Sequence, residues 1–121
     1  MSKTVLFVYG TLKRGQKSHH MIASQEFLGE ATTMPLYRLY SLGWHPGMVL
    51  DTENGLEVKG ELWAVDDDTL AKLDEYEGLA ESWYIRDDVA VRDHFENVQT
   101  YFFNQKILPG TISGAEWPFA V

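Results

Sequence analysis

Cysteine is absent from this sequence of 121 residues. Its absence excludes a disulfide-stabilised scaffold, a zinc site built on thiolates and a cysteine nucleophile. Long apolar runs are missing too: the N-terminal stretch 5–9, VLFVY, is too short for a secretion signal or a membrane span. We therefore expect a cytoplasmic protein that does not contact a membrane.

Positive charge is also scarce. The sequence has 10 Lys and Arg residues against 18 Asp and Glu residues, which gives a formal net charge of −8. Its one basic cluster is formed by Lys13, Arg14 and Lys17. Because this field repels phosphate backbones and anionic lipids, nucleic acid and membranes are not expected partners. An anionic small molecule remains compatible, since backbone N–H groups can make a cleft locally positive.

The remaining composition predicts one folded domain over residues 1–121, as a monomer or weak homodimer. Apolar residues make up 45% of the chain and aromatic residues 13%, which is enough for a core. Strands are predicted at 5–9, 34–42, 48–50, 56–65, 84–91 and 98–103. We expect an α+β fold: a curved sheet or small barrel with one or two helices packed against it.

Local signals add detail to this prediction. Ser18 is placed to cap a short helix over residues 19–26, and residues 43–47 have the composition of a tight loop. Asn54-Gly55 predicts a hairpin that joins the strands at 48–50 and 56–65. A second helix is predicted from Asp68 to Tyr76, with acidic residues at its positive end and a glycine after its last turn.

Glu77 follows this second helix on the side expected to face the core. At about 100° per residue it lies about 20° from Leu70 and about 40° from Leu73, with Asp74 at the edge of the same stripe. Burying a carboxylate is costly, and partial burial raises its proton affinity, as a general acid or base requires. Two interpretations stay open on the pattern alone: a proton-transfer residue, or a frayed helix end whose Glu77 side chain turns to solvent.

The segment Tyr9–Gly15, YGTLKRG, follows the first predicted strand. A glycine at the end of a buried strand permits a sharp turn, after which consecutive N–H groups can converge on an anion such as a substrate carboxylate. The segment lacks the glycine spacing and the Gly-Lys-Ser/Thr ending of a nucleotide-binding P-loop. An ordinary strand-to-helix turn would explain it equally well.

Other catalytic patterns are missing. His19 and His20 are adjacent and point apart, while His45 and His94 lie in loops, so the spacing predicts no metal site. There is also no Gly-x-Ser-x-Gly nucleophile elbow. His45 could line a cleft, and its role and that of Asp74 are left open.

Several segments together resemble the gamma-glutamylcyclotransferase-like family, over about residues 5–117. The principal pair consists of VYGTLKRG at 8–15 and LDEYEG at 73–78, and the resemblance is strongest to a short bacterial branch and to gamma-glutamylamine cyclotransferases. Further matches are VKGELW at 58–63, YIR at 84–86, LYSLG at 39–43, PG at 46–47 and ISGAEW at 112–117.

The resemblance implies a small mixed β-barrel, closed or partly open, with one or two flanking helices. It also implies an enzyme that cyclises a γ-glutamyl compound into 5-oxoproline and a free amine or amino acid. It implies Glu77 as the catalytic residue and Tyr9, Gly10, Thr11, Leu12 and Tyr84 as substrate-binding residues. No metal or other cofactor is expected, and a small γ-glutamyl molecule is the expected partner. The alternatives are a binding module that senses a metabolite with the same pocket, and a purely structural domain.

Overall fold

A computed structural model describes residues 3–93 and 97–119, which form seven strands and one α-helix. The strands, in chain order, are β1 (Lys3–Val8), β2 (Glu26–Ser41), β3 (Pro46–Leu50), β4 (Leu56–Asp66), β5 (Tyr84–Asp88), β6 (Val98–Phe103) and β7 (Ser113–Gly114). The α-helix, α1, is Asp67–Tyr76, and single 3-10 turns occur at His19–Met21 and Leu79–Glu81. Within the described ranges, no helix has the length and apolar character that a membrane crossing requires.

Five strands close into a barrel in the order β1, β4, β2, β3, β6. Parallel pairing of β1 with β6, at Val5 with Val98 and Leu6 with Gln99, completes the ring. β3 is also parallel to β6, whereas the other ring pairs are antiparallel. β5 pairs with β6 and β7 with β2 outside this ring. The predicted α+β fold, a closed mixed barrel with a flanking helix, is confirmed.

β1 is buried on both faces, which explains its uninterrupted apolar sequence. Phe7 points into the barrel interior with the side chain of Tyr9. Leu6 and Val8 point outward, where they pack with Leu73 of α1 in a second core between the helix and the barrel wall. A strand between two cores carries apolar residues at every position rather than at alternate ones. The helix thus seals one side of the barrel.

The predicted helix at 19–26 is wrong. Only a single 3-10 turn forms, and β2 begins at Glu26, eight residues earlier than the predicted strand start at 34. Phe27 pairs with Trp63 of β4, and the centroids of the two rings lie 5.2 Å apart. Ser18 does not cap a helix; its hydroxyl lies 2.7 Å from that of Tyr76. Pairing with a distant strand outweighs a weak local helix signal.

The predicted hairpin at Asn54-Gly55 is also wrong, because β3 and β4 lie on opposite sides of β2. Tyr37 of β2 pairs with Leu50 on one side and Leu56 on the other. A Cβ atom on Gly55 would lie 2.4 Å from the Asp51 carbonyl oxygen and 2.5 Å from that of Pro35. The glycine therefore permits the connection to pass close to β2, rather than forming a two-residue turn.

Two predicted element boundaries also differ from those in the structure. The loop predicted at 43–47 is shorter, since β3 begins at Pro46. The strand predicted at 84–91 ends at Asp88, although Val91 still makes an isolated bridge with Thr33. The helix boundary is confirmed within one residue: Asp66 caps α1 by accepting from Thr69 N at 2.8 Å, and Gly78 follows with φ 68°.

Substitution Gly55→Ala is expected to lower the free energy of unfolding by about 1–3 kcal/mol, because the atoms that obstruct the added methyl group belong to the backbone. Urea denaturation measures the change. The neighbouring Asn54→Ala, at an exposed side chain, is the matched control and should change stability by less than about 0.5 kcal/mol. Equal midpoints for the two variants would contradict the close-approach explanation.

Candidate active site

A cavity of about 660 Å³ opens between the end of β1, the start of β3, the end of β6 and the C-terminus of α1. All six residues implicated by the sequence resemblance line it: Tyr9, Gly10, Thr11, Leu12, Glu77 and Tyr84. The loop and the helix end, which are more than sixty residues apart in sequence, therefore line the same cavity. A concave, mostly apolar pocket with a few polar groups is the usual form of a small-molecule site.

The loop after β1 leaves its backbone N–H groups available. Its carbonyl groups are used: Gly10 O accepts from Lys13 N at 3.1 Å, and Thr11 O accepts from Ser18 N at 2.9 Å. Within residues 3–93 and 97–119, the N–H groups of Gly10, Thr11 and Leu12 donate no hydrogen bond. Three free N–H groups in succession at a cavity wall suit a carboxylate ligand.

Gly10 is needed at this position because the loop packs tightly against β3. A Cβ atom there would lie 2.8 Å from Cγ of Pro46. The close contact fixes the distance between the loop and the first residue of β3, which is also a lining residue. Gly10 therefore shapes the cavity through its lack of a side chain.

Glu61, which was not predicted as a site residue, anchors the far end of the same loop. Its carboxylate accepts from the Arg14 backbone N–H and from Arg14 Nε, both at 3.1 Å, and from Trp63 Nε1 at 3.1 Å. Burial opposes its ionisation, but these hydrogen bonds and the Arg14 charge outweigh burial and hold the pKa of Glu61 below its ordinary value. The signal in the sequence is an acidic residue inside the buried run 60–65 of β4.

Glu77 occupies the C-cap of α1 and turns toward the cavity. Its N–H donates to Leu73 O at 2.8 Å, so the helix does not fray before it, and Gly78 in the left-handed conformation turns the chain away. The carboxyl group is partly buried, and burial raises its pKa from 4.5 to about 7. The solvent-facing interpretation of Glu77 is therefore wrong.

Three tyrosines surround this carboxyl group. Burial raises the pKa of Tyr9, Tyr84 and Tyr101 well above the ordinary value, and the negative charge of Glu77 raises each further. Their hydroxyl protons are already used. Tyr9 donates to Tyr101 O at 2.5 Å and Tyr84 donates to Pro46 O at 3.0 Å. Tyr9 and Tyr84 thus present neutral ring surfaces to a ligand.

Asp74 ties the last turn of α1 to the sheet. Its two carboxylate oxygens accept from Nε and Nη2 of Arg86 at 2.9 and 3.0 Å, and Oδ1 also accepts from the Tyr101 hydroxyl at 2.7 Å. A two-pronged Arg–carboxylate contact holds orientation better than a single bond does. Since Glu77 is three residues further along, this contact fixes the direction of the helix end that carries it.

His45 has a defined tautomer in this network. Its Nδ1 lies 3.1 Å from the Tyr84 hydroxyl oxygen. Because the single proton of that hydroxyl goes to Pro46 O, the hydrogen between His45 and Tyr84 belongs to Nδ1. Nε2 then carries the lone pair. Burial keeps the pKa of His45 below 6.5, which favours this neutral form.

The remaining histidines do not join the cavity as a group. His19 Nδ1 lies 2.9 Å from Leu12 O, and His94 lies outside the described residues. Among residues 3–93 and 97–119, no three His, Asp or Glu side chains are grouped as metal ligands would be.

The sequence matches a known protein family over most of its length. A sequence model described as gamma-glutamyl cyclotransferase, AIG2-like, matches residues 6–119. The chain belongs to this family. The matched range includes both the loop after β1 and Glu77.

Relatives in the gamma-glutamyl cyclotransferase family come from bacteria and animals. A candidate gamma-glutamylcyclotransferase of Vibrio cholerae is 38% identical over 98 residues, covering 81% of this chain and 74% of that protein. The family protein YtfP of Escherichia coli K12 is 42% identical over 69 residues, 57% of this chain and 58% of its own. The gamma-glutamylaminecyclotransferase of Rattus norvegicus is 37% identical over 94 residues, 72% of this chain and 62% of its own.

Solved structures of the family share the barrel. The crystal structure of a mouse AIG2-like protein has a TM-score of 0.79 at 26% identity, over 97% of this chain and 89% of that one. The solution structure of Escherichia coli YtfP has a TM-score of 0.71 at 28% identity, over 95% and 96% of the two chains. The gamma-glutamyl cyclotransferase fold is thus present over nearly the full length of both proteins.

Stability measurements test the burial of Glu77 independently of any activity. The folded chain binds the Glu77 proton more tightly than the unfolded chain, so stability from the protonated form is complete below pH 4.5 and is lost as the pH rises through about 7. Glu77→Gln mimics the protonated form. We expect it to match the parent near pH 5 and to exceed it by roughly 1–3 kcal/mol at pH 8.

Urea denaturation at the two pH values gives the difference. Glu75→Gln, the same change at an exposed position of α1, is the matched control and should show no such pH dependence. A Glu77→Gln effect of equal size at pH 5 and pH 8 would refute a raised pKa at this position.

Proposed function

We propose that this protein cyclises γ-glutamyl compounds, releasing 5-oxoproline and a free amine. One observation carries the proposal: a partly buried carboxyl group, whose pKa burial raises to about 7, shares a cavity with three backbone N–H groups that donate no hydrogen bond within the described residues. The first can move a proton near neutral pH, and the second can hold a carboxylate. A γ-glutamyl group needs both.

The substrate supplies its own nucleophile. The α-amino nitrogen of a γ-glutamyl group can reach the γ-carbonyl carbon and close a five-membered ring. The C–N bond to the departing amine then breaks. Because both reacting atoms belong to one bound molecule, orientation alone can remove about 7–11 kcal/mol of barrier. The protein therefore has to select one conformer and manage two proton transfers.

Glu77 performs both proton transfers in this proposal. As a carboxylate it takes a proton from the α-ammonium group, which frees the nitrogen lone pair for attack. As a carboxylic acid it then gives this proton to the departing amine, while the ring nitrogen releases its second proton to water. A pKa of about 7 is well matched to both roles, since neither protonation state is strongly favoured at neutral pH.

The loop orients the substrate. The N–H groups of Gly10, Thr11 and Leu12 would hold the α-carboxylate, which directs the neighbouring α-amino group toward Glu77. Tyr9 and Tyr84 contribute ring faces that exclude water, because their hydroxyl groups already bond to Tyr101 O and Pro46 O. The reaction as written requires no metal, nucleotide or redox cofactor.

A γ-glutamylamine, rather than glutathione, is the proposed substrate type. The resemblance of residues 9–15 to the γ-glutamylamine branch supports it, as does the rat relative named for that activity. We further propose that the protein acts in the cytoplasm, as a monomer or weak homodimer, on small molecules alone. A panel of γ-glutamyl amines, γ-glutamyl amino acids and glutathione, with 5-oxoproline as the readout, tests the assignment.

Substitution Glu77→Gln is expected to abolish 5-oxoproline release, by about 10³-fold or more in kcat, while ligand binding persists. Loss of release is measured by chromatography, and binding by calorimetry on the same preparation. Glu75→Gln, which keeps the helix and changes an exposed carboxyl group, should retain activity within about twofold. Undiminished turnover by Glu77→Gln would remove this residue from the mechanism; binding without turnover by the parent protein would favour the metabolite-binding module.

The pH profile gives a second test. Since ionised Glu77 accepts the first proton, kcat/KM should fall about tenfold per pH unit below a pKa near 7 and level off above it, until the substrate amine itself deprotonates. Steady-state kinetics between pH 5 and pH 8.5 determine the profile. An acidic limb near pH 4.5 would show that the carboxyl group is fully hydrated in the free enzyme.

A further inference from the structure

The outer part of the cavity has large apolar side chains that the proposed reaction does not use. Trp44, Trp83 and Leu108 line the cavity, yet they are 58%, 55% and 69% exposed. A volume of about 660 Å³ is also in the range of sites for drug-sized ligands, which leaves room beyond a γ-glutamyl group. Exposed apolar surface around a concave opening is typical of a binding site.

Trp83 lies directly beside the proposed catalytic group. Its backbone N–H donates to Gly78 O at 3.1 Å, and a Cβ atom on Gly78 would lie 3.1 Å from Cδ1 of its indole. Gly78 is the residue after Glu77. The indole is therefore held against the turn that carries Glu77, while more than half of its surface stays accessible.

Trp44 extends the opposite wall outward. Its ring centroid is 4.3 Å from that of His45, which is 6.4 Å from that of Tyr84. Tyr84 in turn packs edge-on against Phe103, at 5.4 Å between centroids. The four rings form a continuous surface that runs from the inner cavity to its mouth. A row of adjacent flat rings favours flat or apolar ligands.

The orientation of the substrate directs the amine half to this surface. With the α-carboxylate on the loop and the reacting carbonyl beside Glu77, the amine half would extend past Glu77 into the outer cavity, where Trp83 lies against Gly78. Trp44 and Trp83 lie in that outer part. The amine half therefore meets indole rings rather than the polar loop.

The charges at the mouth disfavour a second positive group on the substrate. Among the described lining residues, Glu77 and Lys106 are the only side chains with a formal charge at neutral pH. The ammonium group of Lys17 also lies 5.0 Å from the Trp44 ring centroid. No acidic side chain lines the outer part of the described cavity to offset these ammonium groups. On Trp44, the free ammonium group of a diamine would lie near the ammonium group of Lys17.

We propose that Trp44 and Trp83 form a subsite for an apolar amine half, so that γ-glutamyl amides of aromatic and alkyl amines are the preferred substrates. This specificity rests on the proposed cyclisation and names the substrate class within it.

The test compares γ-glutamyl phenethylamide with γ-glutamyl methylamide, which share the reacting group and differ in the amine. We expect kcat/KM to be about 10–200-fold higher for the phenethylamide, the range for a modest apolar contact in a pocket. Trp44→Ala and Trp83→Ala should each lower this ratio at least fivefold. Leu50→Ala removes an apolar side chain of similar exposure, 62%, outside the cavity and should leave the ratio unchanged.

A second pair tests the charge argument. γ-Glutamyl pentylamide and γ-glutamyl 5-aminopentylamide differ only in a terminal ammonium group, and we expect the charged compound to have at least a tenfold lower kcat/KM. Equal values for this pair, equal values for the phenethyl and methyl amides, or a ratio unaffected by both tryptophan substitutions would each overturn the subsite.

Binding measurements separate failure of the subsite from failure of the proposed function. Calorimetry with Glu77→Gln, which should not turn the ligands over, gives affinities for the same two amides. Tighter phenethylamide binding that depends on Trp44, with no 5-oxoproline from the parent protein, would overturn the cyclisation and keep the subsite. If both amides are turned over with equal kcat/KM and bind with equal affinity, the subsite is overturned and the cyclisation is kept.

Discussion

The partial burial of one carboxyl group, that of Glu77, is the constraint on which the site depends. A carboxylate withdrawn from water is costly, so the surrounding structure has to hold it in place. The intact last turn of α1 supplies the backbone, Gly78 turns the chain away, and the Asp74–Arg86 contact binds that turn to the sheet. Without these supports the side chain would move into solvent and lose its altered proton affinity.

Two glutamates near the cavity show how local hydrogen bonding decides ionisation. Burial opposes the ionisation of Glu61, but two hydrogen bonds from Arg14 and one from Trp63 outweigh it and lower the pKa of this carboxyl group. Glu77 has no such donor among the described residues, so burial alone acts on it. The first therefore holds the loop by a fixed charge, whereas the second can change charge during a reaction.

Local sequence patterns predicted those elements whose buried side can be read from their own residues. Helix periodicity placed Glu77 on the core side of α1, and the apolar run at 5–9 predicted a buried strand. The mixed barrel followed from the number of short strands together with the family resemblance. Patterns failed where a distant partner decides the outcome. Residues from Glu26 pair with β4, and Gly55 serves a close approach to Pro35 and Asp51 rather than a hairpin turn.

Several supporting residues could not be predicted because their partners lie far along the chain. The residues around Glu61 do not predict its ion pair with Arg14, and those around Asp74 do not predict its ion pair with Arg86. Each pair forms only when the strands are in register. Tryptophan is a residue type expected in the core, and only the fold shows Trp44 and Trp83 at the mouth of the cavity. Motifs thus identify candidate chemistry, whereas the walls around it depend on tertiary structure.

Closure of the barrel through β1 and β6 governs when the cavity can first exist. Val5 must meet Val98, so the chain as far as Val98 has to leave the ribosome before the ring can form. Contacts between such distant residues carry a large entropic cost and tend to slow folding. The nascent polypeptide therefore holds β1, an apolar strand, without its β6 neighbour until β6 emerges, a period in which chaperones would be expected to protect it.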